Sequence, residues 1–260
     1  MAEVERAFKS AREYIDWASD ALRETEALCR TYYSGLASFI NTEEDPSSGF
    51  TIWWLHLTKP LDRSIARKAT EALLNVRHGL DQAAHACYML INGPPKRDIY
   101  FPWGESRRDS EVKISRLQLP QPIAEAMVEF GPFPTSPAYT GGDDMVRALA
   151  KIANRKHTIG IGTHVGVAEV TMAQAIVGED GQLIMPALKW DSEQNRGELL
   201  RMKGDVKVPF DFEIDITIMI SDQVLRVPLG AEESLKAFAD KAGALIRRLE
   251  QECRIVVASS

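Results

Sequence analysis

Every even-numbered position from Val206 through Phe212 to Ile220 is apolar, while Lys207, Asp211, Glu213, Asp215 and Thr217 occupy positions between them. Only a β-strand repeats its side chains every two residues, so this run predicts a long strand packed on one face and wet on the other. Pro209 has no amide hydrogen for a ladder and places the start of the strand at an edge or a bulge. A strand with one apolar face must be covered by another layer. The chain supplies one in Leu235, Phe238, Ala242, Leu245, Ile246 and Leu249, a helical stripe from about Ala231 to Glu252. That helix is expected to lie on the apolar face of the sheet.

Toward the N-terminus the period is that of a helix. Val4, Phe8, Ala11, Ile15, Ala18 and Leu22 mark an amphipathic helix expected to reach about Phe39, with Gly35 its weak point. Asn41 to Gly49 reads as a loop by composition, and the aromatic, β-branched stretch Phe50 to Thr58 reads as a strand. Asp62, with Ser64 as the alternative, caps a second long helix from Arg63 to Ile91, which ends at Asn92-Gly93-Pro94-Pro95. Lys96 to Gly141 is proline-rich and irregular, with one short helix expected at Pro122 to Phe130 and another following at Met145 to Ala153. After His157 the period shortens to two. An extended segment leads to Val177, the turn Gly178 to Gly181 forms a hairpin, and Leu183 to Trp190 follows.

These elements predict an α+β fold: long amphipathic helices packed with an antiparallel β-meander and closed by a C-terminal helix. Residues 1–160 form a mainly helical layer with one strand near 50–58, and residues 161–260 form the sheet and the last helix. No flexible linker marks the boundary, so the halves are expected to form one coupled unit.

Composition narrows the function classes. A chain of 260 residues can bury a substantial core, and its formal net charge of −6 argues against nucleic acid as a broad partner while leaving room for a local basic patch. Three widely spaced cysteines, Cys29, Cys87 and Cys253, read as free thiols of a reducing compartment. The first residues lack the apolar core of a signal peptide, and no apolar run is long enough for a membrane span, so a cytoplasmic location away from membranes is expected. Phosphate-loop, dinucleotide and nucleophile-elbow motifs are absent, and no cofactor is called for. An exposed strand edge and the Trp53-Trp54 pair are compatible with a homodimer.

Two polar clusters could carry chemistry. On the second long helix, His78, Asp81 and His85 share a face and would suit a metal ion if another element completed the shell, although a polar stripe is also what any amphipathic helix presents. Asn75 and Arg77 lie beside them. The second cluster is Asn154-Arg155-Lys156-His157 at a helix-to-strand transition, with His164 further on. Cations at a helix C-terminus are favoured by its dipole, and an Arg/His pair could equally hold a phosphate and move a proton.

The run Asn75-Val76-Arg77-His78-Gly79-Leu80-Asp81, followed by Phe101-Pro102 and by Asn154-Arg155-Lys156-His157, resembles a widespread group of uncharacterised bacterial proteins. Members read Asn-Leu-Arg-x-x-Leu-Asp on a long helix, then Phe-Pro, Gln-Pro-Tyr and Asn-x-Asp-Lys-His-Arg. The similarity spans about residues 50–165. Here Gly131-Pro132-Phe133 stands in place of Gln-Pro-Tyr, Arg155 replaces the acid before Lys156, and Thr158 replaces the final arginine. The resemblance implies that Asn75, Arg77, Asp81, Asn154, Lys156 and His157 form one polar network. The function it leaves open is that of a binding or structural protein with an unknown ligand. The alternatives are an enzyme similar to the HEPN class of metal-independent ribonucleases, using Arg155 and His157, or a metal-dependent hydrolase using His78, Asp81 and His85.

Overall fold

The computed structural model describes residues 2–154, 161–172, 175–186, 190–191, 193–208, 212–221 and 229–259. In chain order these form helices α1 (Ala2–Ala7) and α2 (Lys9–Ser34), strands β1 (Ser38–Asp45) and β2 (Phe50–Leu57), and helices α3 (Arg63–Asn92), α4 (Arg107–Ser115), α5 (Gln121–Glu129) and α6 (Asp144–Ala153). Strands β3 (Gly162–Met172), β4 (Ile176–Val177), β5 (Gln182–Ile184), β6 (Trp190–Asp191) and β7 (Arg196–Lys203) follow. The described chain closes with β8 (Val206–Lys207), β9 (Phe212–Ser221), β10 (Leu229–Gly230) and helix α7 (Ala231–Ser259). This is the α+β architecture the hydrophobic periods call for, and every pairing among the described strands is antiparallel.

The centre is a bundle of α2, α3 and α7. Helices α2 and α3 run antiparallel: Gly79 faces Ala11 and Ile15, and Lys68 Nζ lies 2.7 Å from a Glu24 carboxylate oxygen. Helix α7 returns antiparallel to α2, with Arg12 Nη1 donating to Glu250 Oε2 at 2.7 Å, and it lies parallel to α3, where the sulfurs of Cys87 and Cys253 are 3.7 Å apart. The expected berth of α7 on the sheet is therefore corrected. Its buried residues Leu235, Phe238, Ala242, Ile246 and Leu249 join the helical core, and only its first turns meet β9 and β10. The stripe fits either partner, and two long helices offer more apolar area than a short sheet.

The sheets gather at one end of this bundle. Ile161 N donates to Thr70 Oγ1 at the start of α3, and Ile218 N donates to the Tyr33 hydroxyl at the end of α2. Among the described residues one sheet has the order β10-β9-β3, a two-stranded sheet joins β4 and β8, and the third runs β1-β2-β7-β5, with β6 also on β7. A small second core of Trp53, Leu200, Val206 and Val208 lies on the latter sheet.

Several elements depart from the sequence expectation. The single helix expected from Val4 to about Phe39 is divided at Phe8 into α1 and α2, α2 ends at Ser34 with Gly35 as its cap, and the expected loop from Asn41 belongs to the edge strand β1. Its polar residues are tolerated because an edge strand needs only one partner, here β2 in register from Ser38 opposite Leu57 to Asp45 opposite Phe50. The alternating run from Val206 is divided: β8 pairs with β4, whereas β9 pairs with β3 and β10, and residues 209–211 lie outside the described set. The turn Gly178–Gly181 keeps its hydrogen bond, Gly181 N to Gly178 O at 3.0 Å, but joins strands of different sheets, since β4 pairs with β8 and β5 with β7. The expected strand Leu183–Trp190 is replaced by the short β5 and β6, and the central strand β7 had no sequence signal of its own. A bulge opposite Trp53 and Trp54 shifts the register of β7, so Leu199 and Leu200 are both buried and the alternation that marks a strand is lost.

Candidate functional site: a basic cleft along the third helix

Helix α3 presents two faces. Val76, Leu80, Ala83 and Cys87 are buried in the bundle, while Arg77, Asp81, Tyr88 and Asn92 line a cleft of about 1230 Å³. The spacing of the second set, four, seven and four residues, keeps those side chains on one stripe of the helix. The chain reverses at Gly93, whose φ of 76° suits the residue that ends a helix. It then runs back along α3 as an irregular segment from Pro94 to Trp103, with bends at Pro94, Lys96 and Arg97, which forms the second wall.

Phe101-Pro102-Trp103 anchors that wall. Phe101 and Trp103 are buried, their ring centroids 4.9 Å apart, and both pack on Phe130. Phe101 N donates to Asp81 Oδ1 at 2.8 Å, the Pro102 carbonyl accepts from Ser110 Oγ at 2.9 Å, and Gly104 N donates to the Pro132 carbonyl at 2.9 Å. These bonds fix residues 101–104 in place without a helix or sheet.

The C-terminal half of α4 contributes Lys113, and the residue that caps its C-terminus, Arg116, joins the lining. Sequence reasoning missed this helix because its apolar face consists of little more than Ile114. A signal was nonetheless present: Ser106 accepts from Asp109 N at 3.2 Å while Asp109 Oδ2 accepts from Glu105 N at 2.9 Å, close to the reciprocal arrangement of a capping box. Lys113 Nζ donates to the Trp103 carbonyl at 2.7 Å and to Asp109 at 2.9 Å, so it ties α4 to the second wall. At the far end Asn92 Nδ2 donates to the Leu117 carbonyl at 3.0 Å.

Arg77 and Asp81 sit deep in the cleft, their side chains 12% and 13% exposed. Arg77 Nη1 donates to the Ala150 carbonyl at 2.7 Å, which docks α6, and its guanidinium carbon lies 5.9 Å from the centre of the Trp103 ring. Its Nε is 3.8 Å from Asp81 Oδ2, an ion pair beyond hydrogen-bond length. Burial lowers the Arg77 pKa against the pull of Asp81, and the charge of Arg147 lowers it further. Burial raises the Asp81 pKa, partly offset by the Phe101 amide and by the charges of Arg77 and His78. Trp103 Nε1 is buried without a hydrogen-bond partner.

The cleft therefore collects Arg77, Asp81, His78 and Asn154 from the residues singled out in the sequence. Asn75 and His85 do not line it, and Arg155, Lys156, His157 and Thr158 lie outside the described residues. The metal arrangement of His78, Asp81 and His85 is not formed: no group of three or more His, Cys, Asp or Glu among the described residues is placed to hold an ion. His78 packs edge-on against Tyr14, and Asp81 is held by the Phe101 amide. Sharing a helix face brought these residues near one another but did not bring their donor atoms together.

Lys96, Arg97, Lys113 and Arg116 were not anticipated as site residues. With Arg77 they put five cations on the lining against the carboxylates of Asp81 and Asp98, in a chain whose formal net charge is −6. Among the described residues Lys96, Arg97 and Arg116 form no ion pair. Trp53, by contrast, belongs to the small core, and Trp54 is covered by the Arg196 guanidinium at 4.0 Å. No helix is long and apolar enough to cross a membrane among the described residues. The chain matches no protein-family model, no curated protein and no solved structure.

Proposed function

We propose that the protein binds an anionic ligand, one carrying phosphate or carboxylate groups, in the cleft along α3. The observation that supports this reading is the excess of cations lining one concavity of an otherwise acidic chain. A cleft of one charge sign with low-dielectric walls concentrates counter-ions and speeds their capture. Among the described residues Lys96, Arg97 and Arg116 have no acidic partner to be displaced by an arriving anion, and Arg77 offers a planar fork already held in position by Ala150. Asn92 and Asn154 add polar contacts at the two ends. This is a binding role, in keeping with the sequence expectation. The ribonuclease alternative depends on Arg155 and His157, and no observation on the described residues favours it.

Calorimetric titration with pyrophosphate and with ATP at low ionic strength tests the proposal. Binding is expected, weakened at least fivefold in Arg116→Ala and in Lys96→Ala, with the melting temperature of both variants unchanged. Absence of heat with either anion at millimolar concentration, or equal affinity in the variants, would reject it.

A further inference from the structure

We infer that the anion is the backbone of a single-stranded nucleic acid, with bases stacked on the aromatic rings of the cleft. This rests on the anion-binding reading above and adds the class of ligand. The cleft is too long for a compact anion. From Arg77 to Asn92 the cleft follows α3 for fifteen residues, roughly 22 Å at the helical rise of 1.5 Å per residue. Cations stand toward both ends: Arg77 at one, and Lys96, Arg97 and Arg116 near the other, where Asn92 is tied to Leu117. A compact anion reaches only one of these ends, whereas a polymer with repeated phosphates reaches both.

Aromatic rings share the lining with these charges. Tyr88, half-buried, lines the cleft from α3 four residues before Asn92, and Tyr100, 61% exposed, lines it from the second wall, while Trp103 is buried against Phe101 and Phe130 and leaves the stacking faces to these two tyrosines. A charged groove interleaved with aromatic rings is the arrangement on which unpaired bases stack while the backbone follows the cations. Bases in a duplex are already stacked on one another and cannot occupy such rings. The volume agrees: about 1230 Å³ in an open cleft exceeds the roughly 300–1,000 Å³ typical of pockets for one small ligand. The acidic balance of the whole chain confines binding to this cleft instead of spreading it over the surface.

The test uses the full chain and fluorescence anisotropy with labelled oligothymidylates and oligouridylates of two, four, eight and about twelve nucleotides, within the site sizes of single-strand grooves. Affinity is expected to rise at least tenfold between the dinucleotide and the eight-nucleotide strand, and a duplex of equal length should compete at least tenfold less well. For three rim cations, log affinity should fall against log salt with a slope of roughly −2, from about −0.7 per phosphate neutralised. Arg116→Ala should shrink that slope, and Tyr100→Ala should weaken binding about tenfold with the slope unchanged; both positions are exposed, and melting curves should confirm intact folding. The uridylate and thymidylate arms show whether RNA or DNA is preferred, and either preference supports the inference. Pyrophosphate or a dinucleotide binding as tightly as the longer strands would overturn the polymer inference and leave the anion-binding reading standing. Failure of every anion to bind would overturn both. Binding of long strands unaffected by either variant would place it elsewhere on the molecule and overturn the inference too.

Discussion

Arg77 Nε stops 3.8 Å from the carboxylate of Asp81 one turn along α3, because each residue is drawn to a backbone group of a different segment. Arg77 holds the Ala150 carbonyl at the end of α6, and Asp81 holds the Phe101 amide of the second wall. The pair therefore joins three segments of the cleft, and its two members are coupled through burial more than through direct contact.

The losses from removing the two members should not add. Arg77→Met leaves the buried Asp81 charge without its cation, held only by the Phe101 amide, and the Ala150 carbonyl without its donor, at a cost of about 3 kcal/mol. The double variant Arg77→Met/Asp81→Leu should lose less than the sum of the two single variants, by about 1 kcal/mol or more. Urea denaturation of the four proteins measures this, and strict additivity would show that the two charges do not sense each other.

Stability should depend on pH with opposite signs at two buried carboxylates. Burial raises Asp81 above its ordinary 3.8, so the folded state holds that proton more tightly than the unfolded chain. The contribution of Asp81 is therefore greatest at low pH and declines as pH rises from 3.8 through the raised folded value. At Glu250 burial raises the pKa too, but Arg254 and Arg12 outweigh it and hold the carboxyl below its ordinary 4.5. That contribution is present above 4.5 and is lost as pH falls through the lowered folded value. Relative to the parent, Asp81→Asn should gain stability with rising pH and Glu250→Gln should lose it. Denaturation curves across the acid range that stay parallel for all three proteins would contradict both signs.

The three thiols should be inert in the folded protein. Cys29, Cys87 and Cys253 are unpaired and buried; a hydrogen bond to Cys253 and desolvation push the Cys87 pKa up, and burial beside Glu232 does the same for Cys29. Since the thiolate is the reactive species, an aromatic disulfide reagent should label none of the three until denaturant is added, and then all three. Fast labelling of any one under native conditions would show that the α3–α7 or α2–α7 contact opens readily.

At Gly79 helices α2 and α3 pack tightly: a Cβ there would lie 3.2 Å from the Ala11 carbonyl oxygen and 3.2 Å from Ile15 Cδ1. Alanine demands a shift of a few tenths of an ångström and recovers about 1 kcal/mol of helix propensity, so Gly79→Ala should be nearly neutral. Gly79→Leu forces the helices apart and should cost about 3 kcal/mol or more. Thermal melts of the pair decide the point, and a stable leucine variant would mean that the two helices can slide.

Legibility followed how much of an element's pattern is local. Helix α3 was expected from Arg63 to Ile91 and runs from Arg63 to Asn92, because cap, stripe and terminator all lie within it. Strand β2 and the start of α7 were legible for the same reason. Strand β7 was not, since its burial comes from β2 and β5 on either side and from a bulge that removes the alternation. In the cleft, the polar face of α3 could be read from its spacing. The role of Lys96, Arg97 and Arg116 could not, because it depends on where Phe101 and Trp103 insert after the chain reverses at Gly93.

The sequence by itself determined the helices that carry their own apolar stripes, the α+β class, and the one face of α3 on which Arg77 and Asp81 stand. Tertiary structure alone decided which layer covers α7, which strands become neighbours, and that scattered cations converge on one cleft. Periodicity records whether a side chain is buried, but the partner that buries it is chosen by long-range packing, and no local pattern encodes that choice.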